Sequence, residues 1–481
     1  GSKAVEPSLR AMESDSDDEY WGSYDSGRLP TPLASFTQGG DWIDSSLPSR
    51  KLSAGSIGST PSTCSQETVE LEPGALISVG GRSFELHSLL GVGSFGSVWR
   101  ASCNDSGKTV ALKEILTFSK ESMEAAKLEA QRLHDLCELI QDTCRSPALP
   151  LLLAAATSTY GNGYRSVMVM EQVAGEPLKR ALEGGQLLIP TGHPIAQAFY
   201  FVSEMLRQLT VVMQPLSKRF LHRDANSQNI LVQVSSGLYD FGLIDFGLAV
   251  DATSWATNGW HEMGAAGDGR FWTTSSWLFF TNGPEALTQD LQSEYRTSLD
   301  LHSIGLSALQ ALVILSCEAG DVGIAQDPSG AKEWHQAMDS LKELQKAWTE
   351  YWSFASTCWE QVIDAFNRDA RSEVKAKLKE EKVHKTFATH LVHLQEKLTE
   401  VYTALKSSNL EGRSRGQFGD PIRALGVLEA LLLMITPNCG ESLRPTSEET
   451  WEKVSQILGI PLRTGSATVA GALDEEVSTT L

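Results

Sequence analysis

The chain of 481 residues is short of cysteine, of positive charge and of long apolar runs, and each shortage excludes a class of protein. Its seven cysteines stand at 64, 103, 137, 144, 317, 358 and 439, an odd number with no Cys-x-x-Cys pair, so neither a disulfide framework nor a zinc ribbon is expected. Thiols left reduced favour a cytoplasmic location. Forty Lys and Arg against 60 Asp and Glu leave a net charge of -20. Such a surface does not suit a binder whose affinity rests on neutralising phosphates, and no nucleic acid is expected among the partners. No stretch reaches the ~18 apolar residues of a membrane span. The best runs are Leu149 to Thr157 and Leu425 to Ile435, and the second contains Glu429. No membrane span is expected, and the length leaves room for a large core in a two-lobed unit with insertions.

What is present changes character along the chain. Residues 1–75 are acidic, dense in Ser, Gly and Pro, and carry no sustained period of 2 or 3.6, so they read as a disordered arm. Ser14 and Ser16 in an acidic run, and Ser53 after Arg50-Lys51-Leu52, are candidate regulatory sites; Tyr20-Trp21 and Trp42-Ile43 are candidate docking clusters. From Ala75 to Leu116 short β-type runs alternate with Gly and Asn-Asp turns, which predicts a meander of antiparallel strands. Residues 120–140 predict a helix with Met123, Leu128, Leu133, Leu136 and Ile140 on one face, and a strand is expected over Ser166 to Val173. Helices are then expected at 195–214, 300–317, 331–407, 420–435 and 447–458, with a β-like and loop-rich stretch from 220 to 295. A β-rich front and an α-rich back make the expected class α+β.

Three segments carry the chemistry. Gly91-Val92-Gly93-Ser94-Phe95-Gly96-Ser97-Val98 is a glycine-rich turn between two strands, where absent Cβ atoms let backbone N–H groups approach phosphate oxygens. Val110-Ala111-Leu112-Lys113 is an apolar strand ending in a lysine that needs a buried partner, and Glu129 on the following helix is the candidate. His222-Arg223-Asp224-Ala225-Asn226-Ser227-Gln228-Asn229 is then followed by Asp245-Phe246-Gly247.

With these motifs in this order, residues 78–458 resemble the eukaryotic protein kinase family. The resemblance implies a bilobal protein-kinase fold, with small lobe and hinge over 76–175, a large lobe over 176–458, and a flexible tail over 459–481. It implies ATP and Mg²⁺ as cofactors and a protein substrate. By motif position, Asp224 orients the acceptor hydroxyl and takes its proton, Lys113 and Glu129 pair behind the phosphates, and Asn229 and Asp245 are Mg²⁺ ligands. Gly91, Gly93, Gly96, Val98 and Ala111 line the nucleotide, and Met170, Glu171 and Val173 resemble the gatekeeper and hinge. A second Asp-Phe-Gly at 240–242 is set aside, with Asp240 expected in a turn before the strand that leads into Asp245. Arg223 implies an activation segment ordered by phosphorylation, with Thr253, Ser254, Thr257, Thr273, Thr274, Ser275 and Ser276 as candidates.

The chain also departs from the family. Asn226 and Gln228 fill the two positions where Ser/Thr and Tyr kinases carry a catalytic-loop cation, which leaves the hydroxyl class open, and Arg270 is a candidate substitute. The end of the activation segment has two alignments. One places the family's Ala-Pro-Glu at Gly283-Pro284-Glu285, with Glu285 paired to Arg444; the other makes Gly267-Asp268-Gly269-Arg270-Phe271-Trp272 the substrate-docking loop, leaving Thr273-Thr274-Ser275 in its place. The first is preferred. About residues 318–418 form an insertion in which Trp334, Met338, Leu341, Leu344, Trp348 and Tyr351, then Val383, Phe387, Leu391, Leu394, Leu398, Val401 and Leu405, recur at three and four. A helical hairpin on the large lobe is expected, packed on its own lobe or offered to a protein partner. Two functions stay in view, a Ser/Thr protein kinase and a pseudokinase or weakly active scaffold.

Overall fold

Six antiparallel strands build the first lobe: β1 (Leu76–Val79), β2 (Arg82–Gly93), β3 (Gly96–Cys103), β4 (Thr109–Thr117), β5 (Leu152–Tyr160) and β6 (Gly163–Glu171), in the spatial order β1-β2-β3-β4-β6-β5. The computed structural model describes residues 71–93, 96–141, 149–185, 187–188, 194–322, 331–407, 421–435 and 447–460. The acidic arm before residue 71, the segment after 460 and Arg444 lie outside the described residues. Central strand β4 is buried on both faces, and its period of two sorts its side chains. Val110 and Leu112 join Phe84, Leu86, Val167 and Val169 in one apolar cluster, while Ala111 and Ile115 belong to the cluster shared with the second lobe. Lys113 has the parity of Ala111 and Ile115.

Helix α1 (Lys120–Gln141) connects β4 to β5. Its inner face is Met123, Ala126, Glu129, Leu133 and Leu136, all buried, whereas Leu128 is 53% exposed, contrary to the expected stripe. Leu128 lies about 140° around the helix from Met123, and the buried face runs through small Ala126 and charged Glu129, which carry no hydrophobic signal. Strand β5 was not expected either, because most of its side chains are exposed and its Ala, Ser and Thr residues do not alternate. Its signal is the two-residue turn Gly161-Asn162, with Gly161 at φ 55° and Tyr160 paired to Gly163.

The second lobe opens with β7 (Glu176–Pro177), α2 (Leu178–Glu183) and α3 (Pro194–Leu216). Strands β8 (Phe220–Leu221), β9 (Ile230–Ser235), β10 (Leu238–Leu243) and β11 (Val250–Asp251) follow, forming the ladders β10-β9-β7 and β11-β8. Short helices α4 (Ala252–Ser254) and α5 (Trp260–Glu262) flank one π-turn at Trp255–Gly259. Two helices then occupy a stretch expected to be loop-rich, α6 (Thr274–Asn282) and α7 (Gln289–Thr297). Helix α6 hides from periodicity because Trp277, Leu278, Phe279 and Phe280 are contiguous and all buried. Its start is legible afterwards, since the Thr273 hydroxyl caps it by accepting the Ser276 N–H at 3.1 Å.

Helix α8 (Leu299–Val322) is the axis of this lobe and packs against α3. Its stretch Leu299–Cys317 has a mean hydropathy of 1.5 and, contrary to expectation, is long and apolar enough to cross a membrane by length and composition. Ser303, Gly305 and Ser307 interrupt the apolar run in the sequence without interrupting the buried surface. That stretch is 83% buried within the protein, which accounts for its character as a core helix.

The insertion consists of α9 (Ala331–Asn367), α10 (Arg371–Glu380) and α11 (Val383–Ser407), with α9 and α11 packed along one another. The stripe from Trp334 to Tyr351 is buried except for half-buried Met338, as is the whole stripe from Val383 to Leu405. Each buried large side chain contributes about 1.5–3 kcal/mol, so the hairpin is held by its own lobe. Helices α12 (Pro421–Ile435) and α13 (Ser447–Ile457) close the lobe against α3.

Candidate active site

Strand parity and the α1 face bring two buried charges together between the lobes. The Lys113 ammonium lies 2.6 Å from Glu129 Oε1 and 3.0 Å from Asp245 Oδ1. Burial pulls this amine down, but Asp245 and Glu129 more than offset it and hold the pKa above the ordinary lysine value. Lys113 is therefore a fixed cation with acids on either side. Above it, β2 and β3 pair Gly91 with Val98 and Gly93 with Gly96, so the glycine-rich segment is a hairpin edge; Ser94 and Phe95 lie outside the described residues. Gly96 sits at φ 147°, and a Cβ there would fall 1.8 Å from the Glu114 carbonyl oxygen. Val98 pairs with Lys113 and Ala111 with Met170, so the hairpin, the lysine strand and the end of β6 share one wall. Strand β6 ends at Glu171, whose side chain pairs with Lys108, and Val173 is buried just beyond it.

The segment that joins β8 to β9 and the turn after β10 each hold one strained residue. Arg223 and Asp245 take φ values of 67° and 63°, left-handed backbone that costs a non-glycine residue on the order of 1 kcal/mol. Buried Asp300 on α8 holds the first in place by accepting the N–H groups of His222 and Arg223, both at 2.7 Å. Asp224 is buried with three donors: Asn226 Nδ2 at 2.7 Å and the Asp268 N–H at 3.1 Å to Oδ1, and Asn229 Nδ2 at 2.8 Å to Oδ2. Burial, with Asp268 and Asp245 nearby, pushes its carboxyl well above the usual carboxylate range despite those donors. The structure thus brings Asp224 and Asn229 into direct contact, and Lys113, Glu129 and Asp245 into a second cluster.

Asp240 is corrected in place. It lies within β10 itself, exposed and paired with Gln233, while the turn falls earlier, at Ser236 and Gly237. The Glu285 side chain is 88% exposed and faces His261, and its expected partner Arg444 lies outside the described residues. The alternative alignment agrees better with the geometry, because the 267–272 loop touches the catalytic loop through Asp268 and is followed by α6, whose Ser275 N–H is accepted by buried Glu294 at 2.9 Å.

No sequence signal points to what Asp268 does. Its side chain is fully buried and receives Gln228 Nε2 at 3.1 Å and Arg270 Nε at 2.9 Å. Asn226 stands where the family carries a lysine, and Arg270 is linked to Asp224 through Asp268. Arg223, expected to pair with a phosphorylated residue, has protein partners in the unphosphorylated chain. It donates to the Gly264 carbonyl at 2.8 Å and lies 4.8 Å over the Trp255 ring. Of the candidate phosphorylation sites, Thr273, Thr274, Ser275 and Ser276 are buried, whereas Thr253, Ser254 and Thr257 are exposed.

A family model described as protein kinase domain matches residues 84–397. Among curated proteins, a probable cyclin-dependent kinase 9 of Caenorhabditis elegans is 27% identical over 46% of this chain and 42% of its own length. Serine/threonine-protein kinase sid1 of Schizosaccharomyces pombe is 26% identical over 47% of this chain and 40% of its own. Serine/threonine-protein kinase 10 of Homo sapiens is 29% identical over 34% of this chain and 15% of its own. The chain therefore spans at most about two fifths of the length of these relatives. A crystal structure of a kinase domain aligns with a TM-score of 0.37 and 17% identity, over 50% of this chain and 67% of its own. The match of the family model across most of both lobes, at the residues that build this cleft, means that the chain belongs to the protein kinase domain family.

Proposed function

We propose that the protein is an ATP- and Mg²⁺-dependent protein kinase that transfers the γ-phosphoryl group to a Ser or Thr hydroxyl of a protein substrate. The observation that carries this reading is the Lys113 ammonium held between Glu129 at 2.6 Å and Asp245 at 3.0 Å, the arrangement required to present a cation to nucleotide phosphates. The glycine hairpin with Gly91, Gly93, Gly96 and Val98 covers the phosphates. Ala111 and Met170 flank the base, and the backbone at Glu171 and Val173 receives its edge. Asn229 and Asp245 offer amide and carboxylate oxygens, hard donors suited to Mg²⁺. The ion, when bound, neutralises charge on the transferring phosphates. Asp224, fixed by its three donors, orients the acceptor hydroxyl and receives its proton as the new P–O bond forms and the bond from the γ-phosphorus to the β,γ-bridging oxygen breaks, with ADP as the leaving group.

One observation favours a second reading, a nucleotide-binding scaffold with little transfer activity. Asn226 donates to Asp224 at 2.7 Å, at the position where the family carries a lysine, and the loop has lost the charge that steadies the phosphoryl group. Transfer from radiolabelled ATP separates the two. Transfer that disappears in Asp224→Ala, with a Mg²⁺-dependent rise in melting temperature on adding ATP retained, supports the enzyme; equal signals in both proteins remove it.

A further inference from the structure

We propose that the helical insertion braces the catalytic loop, with Tyr351 and Trp352 of α9 acting through Arg270 and Asp268 as positioning residues for Asp224. The kinetic part of this inference rests on the function proposed above; the structural part does not.

The brace is a chain of buried and half-buried contacts. Asp268 sends its backbone N–H to Asp224 Oδ1 at 3.1 Å and takes Gln228 Nε2 on its carboxylate at 3.1 Å, so it holds the catalytic loop at two points. A carboxylate with no exposed surface requires a counter-charge, and Arg270 supplies it as a fork, Nε at 2.9 and 3.1 Å and Nη2 on the same group. Arg270 is in turn held from the insertion. Its guanidinium lies 5.4 Å over the Trp352 ring, and its carbonyl accepts the hydroxyl of fully buried Tyr351 at 2.8 Å.

The seat around this chain is tight. Phe271 meets Trp352 edge-on at 5.4 Å and Trp272 meets Trp359 at 5.5 Å. A Cβ on Gly269 would come within 2.5 Å of the Trp359 ring, so α9 approaches the loop as closely as a glycine permits. On the far side, Trp277 stacks on Phe387 of α11 at 4.7 Å. The loop that touches Asp224 is thus built into the interface with the insertion. With Asn226 in place of a lysine, Asp224 is held by the Asn226 amide and the Asp268 N–H, and Arg270 fixes Asp268 from outside the catalytic loop.

The test uses the full chain with Tyr351→Phe, Trp352→Ala and the conservative Trp352→Phe, and exposed Lys346→Ala on the same helix as control. Hydrogen exchange is read over 222–229 and 264–272, and phosphate transfer to casein is read as kcat and KM for ATP. Tyr351→Phe and Trp352→Ala should speed exchange in those two segments while 110–130 stays at the wild-type rate. They should lower kcat about five- to twentyfold with KM within twofold, since one lost hydrogen bond or cation–π contact is worth roughly that factor. Trp352→Phe should recover most of both signals. Wild-type exchange in both variants, or faster exchange spread evenly over the large lobe, overturns the brace. If wild-type protein transfers no phosphate, the proposed function fails, and the exchange pattern alone still decides the brace.

Discussion

Glu129→Gln tests the buried charge cluster most directly. The substitution keeps the shape of the side chain and removes one of the two carboxylates around Lys113, whose side chain is only 9% exposed. Breaking a buried ion pair costs about 3–5 kcal/mol, and the lower end applies here because Asp245 stays 3.0 Å away. An unfolding entropy of about 2.1 cal/mol/K per residue over roughly 300 residues gives ~0.6 kcal/mol/K, so the midpoint should fall about 5 °C. Nucleotide binding should weaken as well, since the ammonium loses the Glu129 carboxylate that shares it with Asp245. At an ATP concentration 100 times the wild-type Kd, mass action adds about 2.7 kcal/mol, and a thirtyfold weaker Kd leaves about 0.9 kcal/mol. Differential scanning fluorimetry with and without Mg²⁺ and ATP reads both effects. The loss should largely vanish in a Lys113→Met background, where no ammonium needs the carboxylate. A variant that melts with the wild type and keeps the full nucleotide shift refutes the reasoning.

Other outcomes follow from the same geometry. Gly96→Ala should reduce ATP affinity more than tenfold by isothermal titration, because the new methyl would meet the Glu114 carbonyl at 1.8 Å; unchanged affinity would mean that the hairpin edge does not touch nucleotide. Glu285→Ala should leave the melting temperature within about 1 °C, whereas Glu294→Ala should lower it by several degrees, on the order of 2–3 kcal/mol for a buried acceptor lost. The reverse ranking would restore the first alignment. Phosphatase treatment should change transfer less than twofold, since Arg223 already has the Gly264 carbonyl and Trp255 as partners, and a tenfold drop would contradict this. Burial holds the Tyr239 phenol at about 12 while it donates to the Leu187 carbonyl. Above pH 10 the unfolded chain loses this proton first, so stability is complete below pH 10 and falls by on the order of 2–3 kcal/mol towards pH 12. Tyr239→Phe should flatten that part of a pH–denaturation series.

How much was legible depended on where each signal lay. The long helices, from Pro194–Leu216 to Ser447–Ile457, were readable because their apolar residues repeat at three and four over many turns. The hairpin, the lysine strand and the catalytic loop were readable because their residue types recur at fixed spacing with a chemical reason. Strand β5 and helix α6 failed for opposite reasons, one too polar to alternate and the other too apolar to show a period. The contacts of Asp268 with the catalytic loop and of Arg270 with Tyr351 were invisible because they join positions 40, 44 and 81 residues apart, and no local pattern records which long-range pairs will meet. The choice between two alignments of the activation segment likewise turned on burial, exposed for Glu285 and complete for Glu294.

The seat of the 267–272 loop also sets an order of events during synthesis. The sheet of the first lobe closes on contacts within residues 76–171 and has its partners as soon as that stretch has left the ribosome. Trp277 has to wait for Phe387, and Arg270 for Tyr351, so the tryptophan-rich segment after the catalytic loop emerges long before its cover. At about 5–20 residues per second that interval is on the order of ten seconds, time in which exposed aromatic surface is open to chaperones or to a neighbouring nascent chain. Chains interrupted between residues 300 and 380 should then be insoluble, although every catalytic motif has already been made.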